Sequence, residues 1–151
     1  MSRIDFYHLQ KQSLDEVLPK LLSKAYESDN RIVVKTVSDE RVTYLDGYLW
    51  TFNDESFLPH GCKKDGFAEQ QPIFLTADSQ NPNGATFLFL VDGAEAAADE
   101  LSTYTRVFNL FDGNSEPALV QARAFWKACK EAGFEVYYWQ QTATGKWEQK
   151  A

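Results

Sequence analysis

Cysteine and histidine are scarce in this sequence of 151 residues, which contains two of each. Cys62 and Cys129 stand far apart and outside any C-x-x-C pattern. Such spacing indicates free thiols in a reducing compartment rather than a disulfide scaffold. Two histidines and two separated cysteines also do not form the ligand cluster of a structural zinc site. No metal is therefore expected.

Long apolar runs are missing as well. No stretch approaches the roughly 20 apolar residues that a membrane span needs. The first six residues, MSRIDF, lack the apolar segment of a signal peptide. The sequence therefore predicts a cytoplasmic protein without a membrane partner.

Phosphate-binding loops are a third absence. Neither G-x-x-x-x-G-K-[ST] nor G-x-G-x-x-G occurs. The end of the first predicted strand and the residues after it, His8 to Ser13, include no glycine that would let the backbone approach a pyrophosphate. Neither a nucleotide cofactor nor nucleotide-dependent catalysis is expected.

Positive charge is in the minority, with a formal net charge of -7 and a pI near 4.8. The average surface therefore repels phosphate, and any role at DNA is expected to be indirect. Hydrophobic residues make up 44% of the chain, enough for one sizeable core. Residues 1–151 are therefore predicted to form a single domain, with a polar C-terminal extension at 142–151.

Hydrophobic periodicity predicts alternating strands and helices. The predicted strands cover residues 3–9, 31–36, 72–76, 86–91, 104–110 and 134–139. The predicted helices cover 14–26, a segment from Ser38 to Phe52, a short piece within 95–101, and 116–132. Pro19 is expected to bend the first helix or to shift its start. The order predicts one Rossmann-like α/β domain, with a mostly parallel sheet, helices on both faces and no nucleotide-binding loop.

The last predicted helix has two adjacent stripes at 100° per residue. The stripe predicted to face the core contains Ala118, Ala122, Phe125, Cys129 and Ala132. The second stripe contains Leu119, Arg123, Trp126, Lys127 and Lys130. Three cations beside a tryptophan suit an acidic chain that ends in an aromatic residue. The alternative is a solvated helix flank with Trp126 partly buried.

Two further aromatic residues are candidates for a partner surface. Trp50 lies off the inward stripe formed by Val42, Leu45 and Leu49, and Phe57 stands in a polar loop. Exposed aromatic residues are enriched in protein interfaces. The alternative is that both pack against the core or the loop.

The loop with His60 and Cys62 supports a different hypothesis. An imidazole near a thiol lowers the thiol pKa and generates a nucleophile, as in a small α/β enzyme or redox protein. The spacing is not specific for such chemistry. The other interpretation is a structural loop, anchored by Pro59 and packed by Phe57. His8 is expected to be a partly buried strand residue.

The order of several short motifs resembles the bacterial DNA polymerase III chi subunit family over nearly the whole chain. These motifs are FYHL at 6–9, LW at 49–50, SFLPHG at 56–61, NPNG at 81–84, LFDG at 110–113, the helix around RAFWK at 123–127, and YWQQ at 138–141 followed by GKW at 145–147. No single motif is diagnostic, but their order and spacing together are specific.

The resemblance implies a non-catalytic accessory subunit with a Rossmann-like fold. It implies a role in joining the psi subunit of the clamp loader to the acidic C-terminal tail of single-stranded-DNA-binding protein. By position, Trp50 and Phe57 match the psi-facing surface. The residues that match the tail pocket are Phe111, Arg123, Trp126 and Lys127, with Lys130 beside them. Leu119 stands where some relatives have a tail-contacting lysine, and Lys130 replaces that charge in part.

Overall fold

One mixed sheet runs through residues 2–51 and 58–151, the part of the chain that the computed structural model describes. The strands are β1 (Arg3–Leu9), β2 (Ile32–Lys35), β3 (Gly61–Cys62), β4 (Ile73–Thr76), β5 (Phe87–Leu90), β6 (Arg106–Asp112), β7 (Glu135–Gln141) and β8 (Trp147–Gln149). The α-helices are α1 (Leu14–Glu27), α2 (Asp39–Thr51), α3 (Ala98–Leu101) and α4 (Glu116–Glu131). Two short 3-10 turns, Lys63–Asp65 and Ala68–Gln70, follow β3.

The strand order is β3-β4-β2-β5-β6-β1-β7-β8, and each neighbouring pair is parallel except β7 with β8. β1 lies between β6 and β7, with Phe6 opposite Asn109 on one side and Tyr138 on the other. The predicted α/β class with a mostly parallel sheet is confirmed.

Alternating side chains of β1 fill two separate hydrophobic clusters, one on each face of the sheet. Tyr7 and Leu9 join the cluster that includes α1 and α2. Ile4 and Phe6 join the cluster that includes α4. We call these sides the α1–α2 face and the α4 face. Because a parallel sheet buries both faces under helices, a central strand such as β5, with the sequence FLFL, is apolar throughout and does not alternate with polar residues.

A buried carboxylate ties β1 to its neighbours. Asp5 has no exposed surface, and its oxygens accept from Arg3 Nη2 and Arg106 Nε, each at 2.9 Å. Trp139 Nε1 on β7 also donates to Asp5 Oδ1 at 2.9 Å. Charge pairing together with hydrogen bonds to both oxygens offsets the cost of burying this group.

The ends of α4 follow its predicted signals. Ser115 Oγ accepts from the backbone N–H of Ala118 at 3.3 Å, and Gly133 has a φ of 89° just beyond the helix. Ala122, Phe125 and Cys129 are buried as predicted. Ala132 was wrongly assigned to the core stripe: it is exposed because the helix ends one residue before it.

Two other details differ from the sequence predictions. Of the two effects expected of Pro19, the shift of the helix start does not occur, because α1 begins at Leu14 and includes the buried Pro19. The polar tail contains β8, which pairs with β7 and places the Trp147 ring 5.0 Å from the Tyr7 ring, edge to face. The tail therefore contributes an edge strand and an aromatic contact to the α1–α2 face.

Candidate partner-binding surfaces

The exposed side of α4 presents Arg123, Lys127 and Lys130. Among the described residues, none of these three cations forms an ion pair. The net charge of the chain is -7, so an uncompensated group of cations on one helix stands out against the rest of the surface. We call these three residues together with Trp126 the cationic surface.

Trp126 connects the cationic surface to the core. Its ring meets Phe6 edge to face at 5.3 Å and Tyr138 at 5.8 Å. Lys130 Nζ lies 5.4 Å from the centre of the Trp126 ring, within the range of a cation–π contact. The indole is half-buried, so the interior fixes one side of the ring and the other side remains available to a partner.

Phe111 and Leu119 lie deeper than the cations. Phe111 is 6% exposed and packs against His8 at 5.2 Å and Tyr138 at 6.1 Å. It belongs to the floor beneath the cationic surface. Leu119 is half-buried against the cluster on the α4 face. The structure therefore brings Phe111 and Trp126 together through their shared neighbour Tyr138.

Sequence reasoning missed a polar pair beneath this surface. His8 is 8% exposed, and its Nδ1 lies 2.5 Å from the hydroxyl oxygen of Tyr138. Burial lowers the pKa of His8, and the nearby Arg123 guanidinium lowers it further. A Cβ on Gly113 would fall 1.9 Å from His8 Cδ2, so only glycine fits beside this ring. The two partners are 130 residues apart, and no local pattern in the sequence signals them.

The second predicted surface lies at the end of α2. Trp50 is 48% exposed, and its ring centre stands 4.2 Å from that of His60. Phe57 lies outside the described residues. Tyr44 on the same helix is 43% exposed and stacks on Tyr48 at 6.2 Å. Phe67 in the following segment is 74% exposed, an aromatic residue that the sequence reasoning did not single out.

The geometry at His60 and Cys62 does not support a thiol nucleophile. His60 Nδ1 lies 2.6 Å from the Leu58 carbonyl oxygen, and Nε2 lies 2.9 Å from the Asp46 carbonyl oxygen. Neither nitrogen is available to take a proton from Cys62. Burial and a hydrogen bond to Asp65 raise the pKa of the Cys62 thiol, whose residue is only 3% exposed.

A cleft of about 820 Å³ opens beyond the carboxyl ends of β1, β5 and β6. Ligands of open α/β sheets bind at such an edge. At the two adjoining helix starts, side chains already accept hydrogen bonds from backbone N–H groups. Glu16 accepts from the Ser13 N–H at 3.2 Å, and Ser115 accepts from the Ala118 N–H at the start of α4. Pro117 removes one further donor from the first turn of α4. The Ser115 cap and Pro117 therefore leave fewer N–H groups for a phosphate at the start of α4 than an uncapped helix would offer.

Taken together, these features define a small α/β protein with one aromatic-bearing surface on each face of its sheet. Residues 1–137 match the protein family described as "DNA polymerase III chi subunit, HolC", and the chain belongs to that family. Membership assigns the chain to DNA polymerase III and thereby to DNA replication.

Two curated relatives carry the same subunit name. The chain is similar to "Probable DNA polymerase III subunit chi" of Rickettsia prowazekii, with 30% identity over 109 residues, which span 72% of this chain and 66% of the relative. It is also similar to "DNA polymerase III subunit chi" of Pseudomonas aeruginosa, with 26% identity over 138 residues, covering 89% of this chain and 93% of the relative.

None of the helices in the described ranges combines the length and the apolarity required to cross a bilayer.

Proposed function

We propose that this protein is a non-catalytic adaptor of the DNA polymerase III holoenzyme. In this proposal one surface binds psi, and the other binds the acidic C-terminal tail of single-stranded-DNA-binding protein. The protein reaches DNA only through these partners, and it works in the cytoplasm, where the chromosome is replicated. The observation that carries the proposal is the cationic surface on α4 of an otherwise acidic protein.

The cationic surface supports the tail assignment through charge and shape. Arg123 and Lys127 lie one helical turn apart and are unpaired among the described residues, so carboxylates of a peptide face no competing acid there. The half-buried Trp126 ring, with Tyr138 and Phe111 beneath it, supplies an aromatic contact for a terminal ring. An acidic peptide with an aromatic end matches both features.

The exposed surface at the end of α2, which includes Trp50 and which we call the Trp50 surface, supports the psi assignment. Trp50 exposes about half of its surface at the end of α2, and interface hot spots are enriched in tryptophan. Phe57 is included in the same proposal because its position in the sequence matches the psi-facing surface of the chi family.

Catalysis by the His60 and Cys62 loop is disfavoured by the engaged imidazole and the raised thiol pKa described above. A binding protein needs only affinity for its partners, whereas an enzyme of this type needs a reactive Cys62. Alkylation of Cys62 in the native protein is therefore expected to be slow and to leave partner binding unchanged.

The experiment that tests the tail assignment is a titration with a labelled acidic peptide that ends in phenylalanine, compared with the same peptide lacking that residue. We expect saturable binding of the complete peptide, weaker binding of the shortened one, and weakening of both by salt. Salt weakens the pairing because the Debye length falls from about 10 Å at 0.1 M to about 3 Å at 1 M. A binding affinity that depends neither on the terminal phenylalanine nor on the salt concentration would contradict the assignment.

A further inference from the structure

The cleft beyond the carboxyl ends of β1, β5 and β6 lies where the chain changes direction across the sheet. β1 and β6 are adjacent and parallel, but β1 leads into α1 on one face and β6 leads into α4 on the other. The two connections therefore diverge and leave a crevice between them, which is the position at which open α/β sheets bind ligands. The cleft volume of about 820 Å³ is within the range of small-molecule sites.

Asn109 on β6 faces this cleft with an amide that has no partner. Val107 and Phe111, two residues to either side, belong to the cluster on the α4 face, so the alternation of the strand directs Asn109 to the same face. Asn109 lines the cleft and is 6% exposed, and its side chain forms no hydrogen bond with any described residue. A buried amide without a partner costs stability, which indicates that this amide serves a ligand.

Gln121 on α4 supplies a second polar group to the cleft. Its Nε2 donates to the Gly93 carbonyl oxygen at 2.6 Å and to Glu95 Oε1 at 3.0 Å. These two hydrogen bonds fix the amide, and its oxygen accepts no hydrogen bond from the described residues. Asn109 and Gln121 therefore offer two carbonyl oxygens and one amide nitrogen to a molecule in the cleft.

The rest of the lining favours an uncharged ligand with an apolar body. Ala94, Ala122 and Phe125 line the cleft from the cluster on the α4 face. Five carboxylates face two cations there, and one of these cations, Arg41, is paired with Asp92 at 2.9 Å. The carboxylates are those of Asp15, Glu16, Asp92, Glu95 and Asp112. Their excess repels a phosphate group.

We propose that this cleft binds an uncharged nitrogen heterocycle that carries an amino group beside a ring nitrogen, as adenine does. The Asn109 amide is complementary to that edge, because its oxygen accepts from the amino group while its nitrogen donates to the ring nitrogen. The Gln121 oxygen is available to a second donor of the same molecule, such as a sugar hydroxyl. The inference does not depend on the assignment of psi or of the acidic tail to either surface.

The direct test is a titration of the full-length protein with adenosine, followed through the side-chain amide resonances of Asn109 and Gln121 in proton–nitrogen NMR spectra. A ligand of this size is expected to bind with a dissociation constant of roughly 0.1 to 1 mM. Nebularine, the purine nucleoside that lacks the amino group, should bind roughly three- to tenfold more weakly, because it leaves the Asn109 oxygen without a donor. Equal affinity for the two nucleosides, or no saturable shift with several millimolar adenosine, would overturn the inference.

Phosphorylated probes distinguish a free nucleoside from a nucleotide or a nucleic-acid strand. AMP and an adenine-rich single-stranded oligonucleotide carry the same base together with phosphate. Both should bind more weakly than adenosine because the lining is acidic, and added salt should reduce the difference between AMP and adenosine. An AMP affinity equal to or above that of adenosine would contradict the choice of an uncharged ligand. Tighter binding of the oligonucleotide at the same resonances would assign the cleft to nucleic acid and overturn the proposal.

Asn109→Leu replaces the amide with an apolar group of similar shape. The variant should be at least as stable as the wild type in urea, because it removes a buried amide without a partner, while its affinity for adenosine falls about tenfold or more. Asn30→Ala removes an amide that precedes β2, at the opposite edge of the sheet, and should leave adenosine binding unchanged. Wild-type affinity for adenosine in folded Asn109→Leu would overturn the inference. If this variant does not fold, the comparison of adenosine with nebularine on the wild type decides.

Discussion

Arg123 is the residue on which the proposed tail contact depends most. It is exposed and unpaired among the described residues. Burial raises the pKa of Tyr138 and Arg123 opposes that rise, whereas at His8 burial lowers the pKa and Arg123 adds to the lowering. The charge of Arg123 therefore acts on the buried pair of His8 and Tyr138 as well as at the protein surface. A peptide carboxylate arriving here would meet a guanidinium directly above an aromatic floor.

Arg123→Ala is expected to weaken binding of the acidic peptide by roughly ten- to a hundredfold. A charge-assisted hydrogen bond contributes about 1.5 to 3 kcal/mol, and 1.4 kcal/mol corresponds to a factor of ten. Fluorescence anisotropy of the labelled peptide measures the change. Lys24→Ala removes one charge from the exposed side of α1 and should leave affinity nearly unchanged. Equal losses in both variants would indicate a general charge effect instead of a defined contact.

His8 is expected to make stability depend on pH. Its pKa is lowered in the folded protein, chiefly by burial, whereas an unfolded chain has the ordinary value of about 6.5. The unfolded state therefore takes up the proton first as pH falls. Stability contributed by the neutral ring is complete above about pH 6.5 and declines below it.

His8→Gln keeps a polar side chain near Tyr138 but removes the titration. Urea unfolding at pH 7.5 and pH 5.5 should show wild type losing more stability on acidification than the variant does. Other titrating groups are common to both proteins and cancel in the comparison. Parallel losses in the two proteins would show that His8 does not titrate differently in the folded state.

Among the elements, β1 is the strand that organises the sheet. It pairs with β6 and β7 on its two sides, supplies side chains to both hydrophobic clusters, and carries the buried Asp5. Asp5→Ala removes the acceptor for Arg3, Arg106 and Trp139 together.

The expected cost of Asp5→Ala is about 3 kcal/mol of unfolding free energy, since breaking a buried charge pair typically costs a few kcal/mol. Both arginines are partly exposed and recover some hydration, which limits the loss. Chemical denaturation measures it. Glu135→Ala removes an exposed carboxylate from β7 and should change stability by about 0.5 kcal/mol or less. A similarly small effect for Asp5→Ala would contradict the account of this network.

Local patterns in the sequence predicted the elements with strong periodicity, and α4 is the clearest example. Its Ser115 cap, its buried Phe125 and its terminal Gly133 all follow from side-chain spacing and backbone rules. β8 was missed because Trp147–Gln149 is short and mostly polar, and its strand conformation depends on pairing with β7. Similarly, the contact of His60 with Asp46 arises only when the chain folds back onto α2.

At the scale of the whole molecule, the two proposed surfaces lie on opposite faces of the sheet. Trp50 belongs to α2 on the α1–α2 face, whereas Arg123 and Trp126 belong to α4 on the other. The strand order that creates this separation could not be derived from periodicity, which predicts strands but not their neighbours. An adaptor built this way can hold two partners at once without competition between them.

Because the surfaces share no side chain, substitutions on them should act independently, as distant sites usually do. Trp50→Ala should weaken psi binding by about 2 kcal/mol or more, the usual effect of truncating an aromatic anchor, while circular dichroism stays unchanged. The same variant should bind the acidic peptide like the wild type. A loss of peptide binding in Trp50→Ala would indicate a folding defect or a shared surface.

The most direct test of the adaptor account is one experiment with both partners present. Psi is immobilised, and retention of single-stranded-DNA-binding protein is measured with wild type, Trp50→Ala and Arg123→Ala, while the amount of retained adaptor is recorded. The account predicts that wild type retains both proteins, that Arg123→Ala is itself retained but brings little single-stranded-DNA-binding protein, and that Trp50→Ala is lost from psi. Retention of single-stranded-DNA-binding protein by Arg123→Ala at the wild-type level would contradict it.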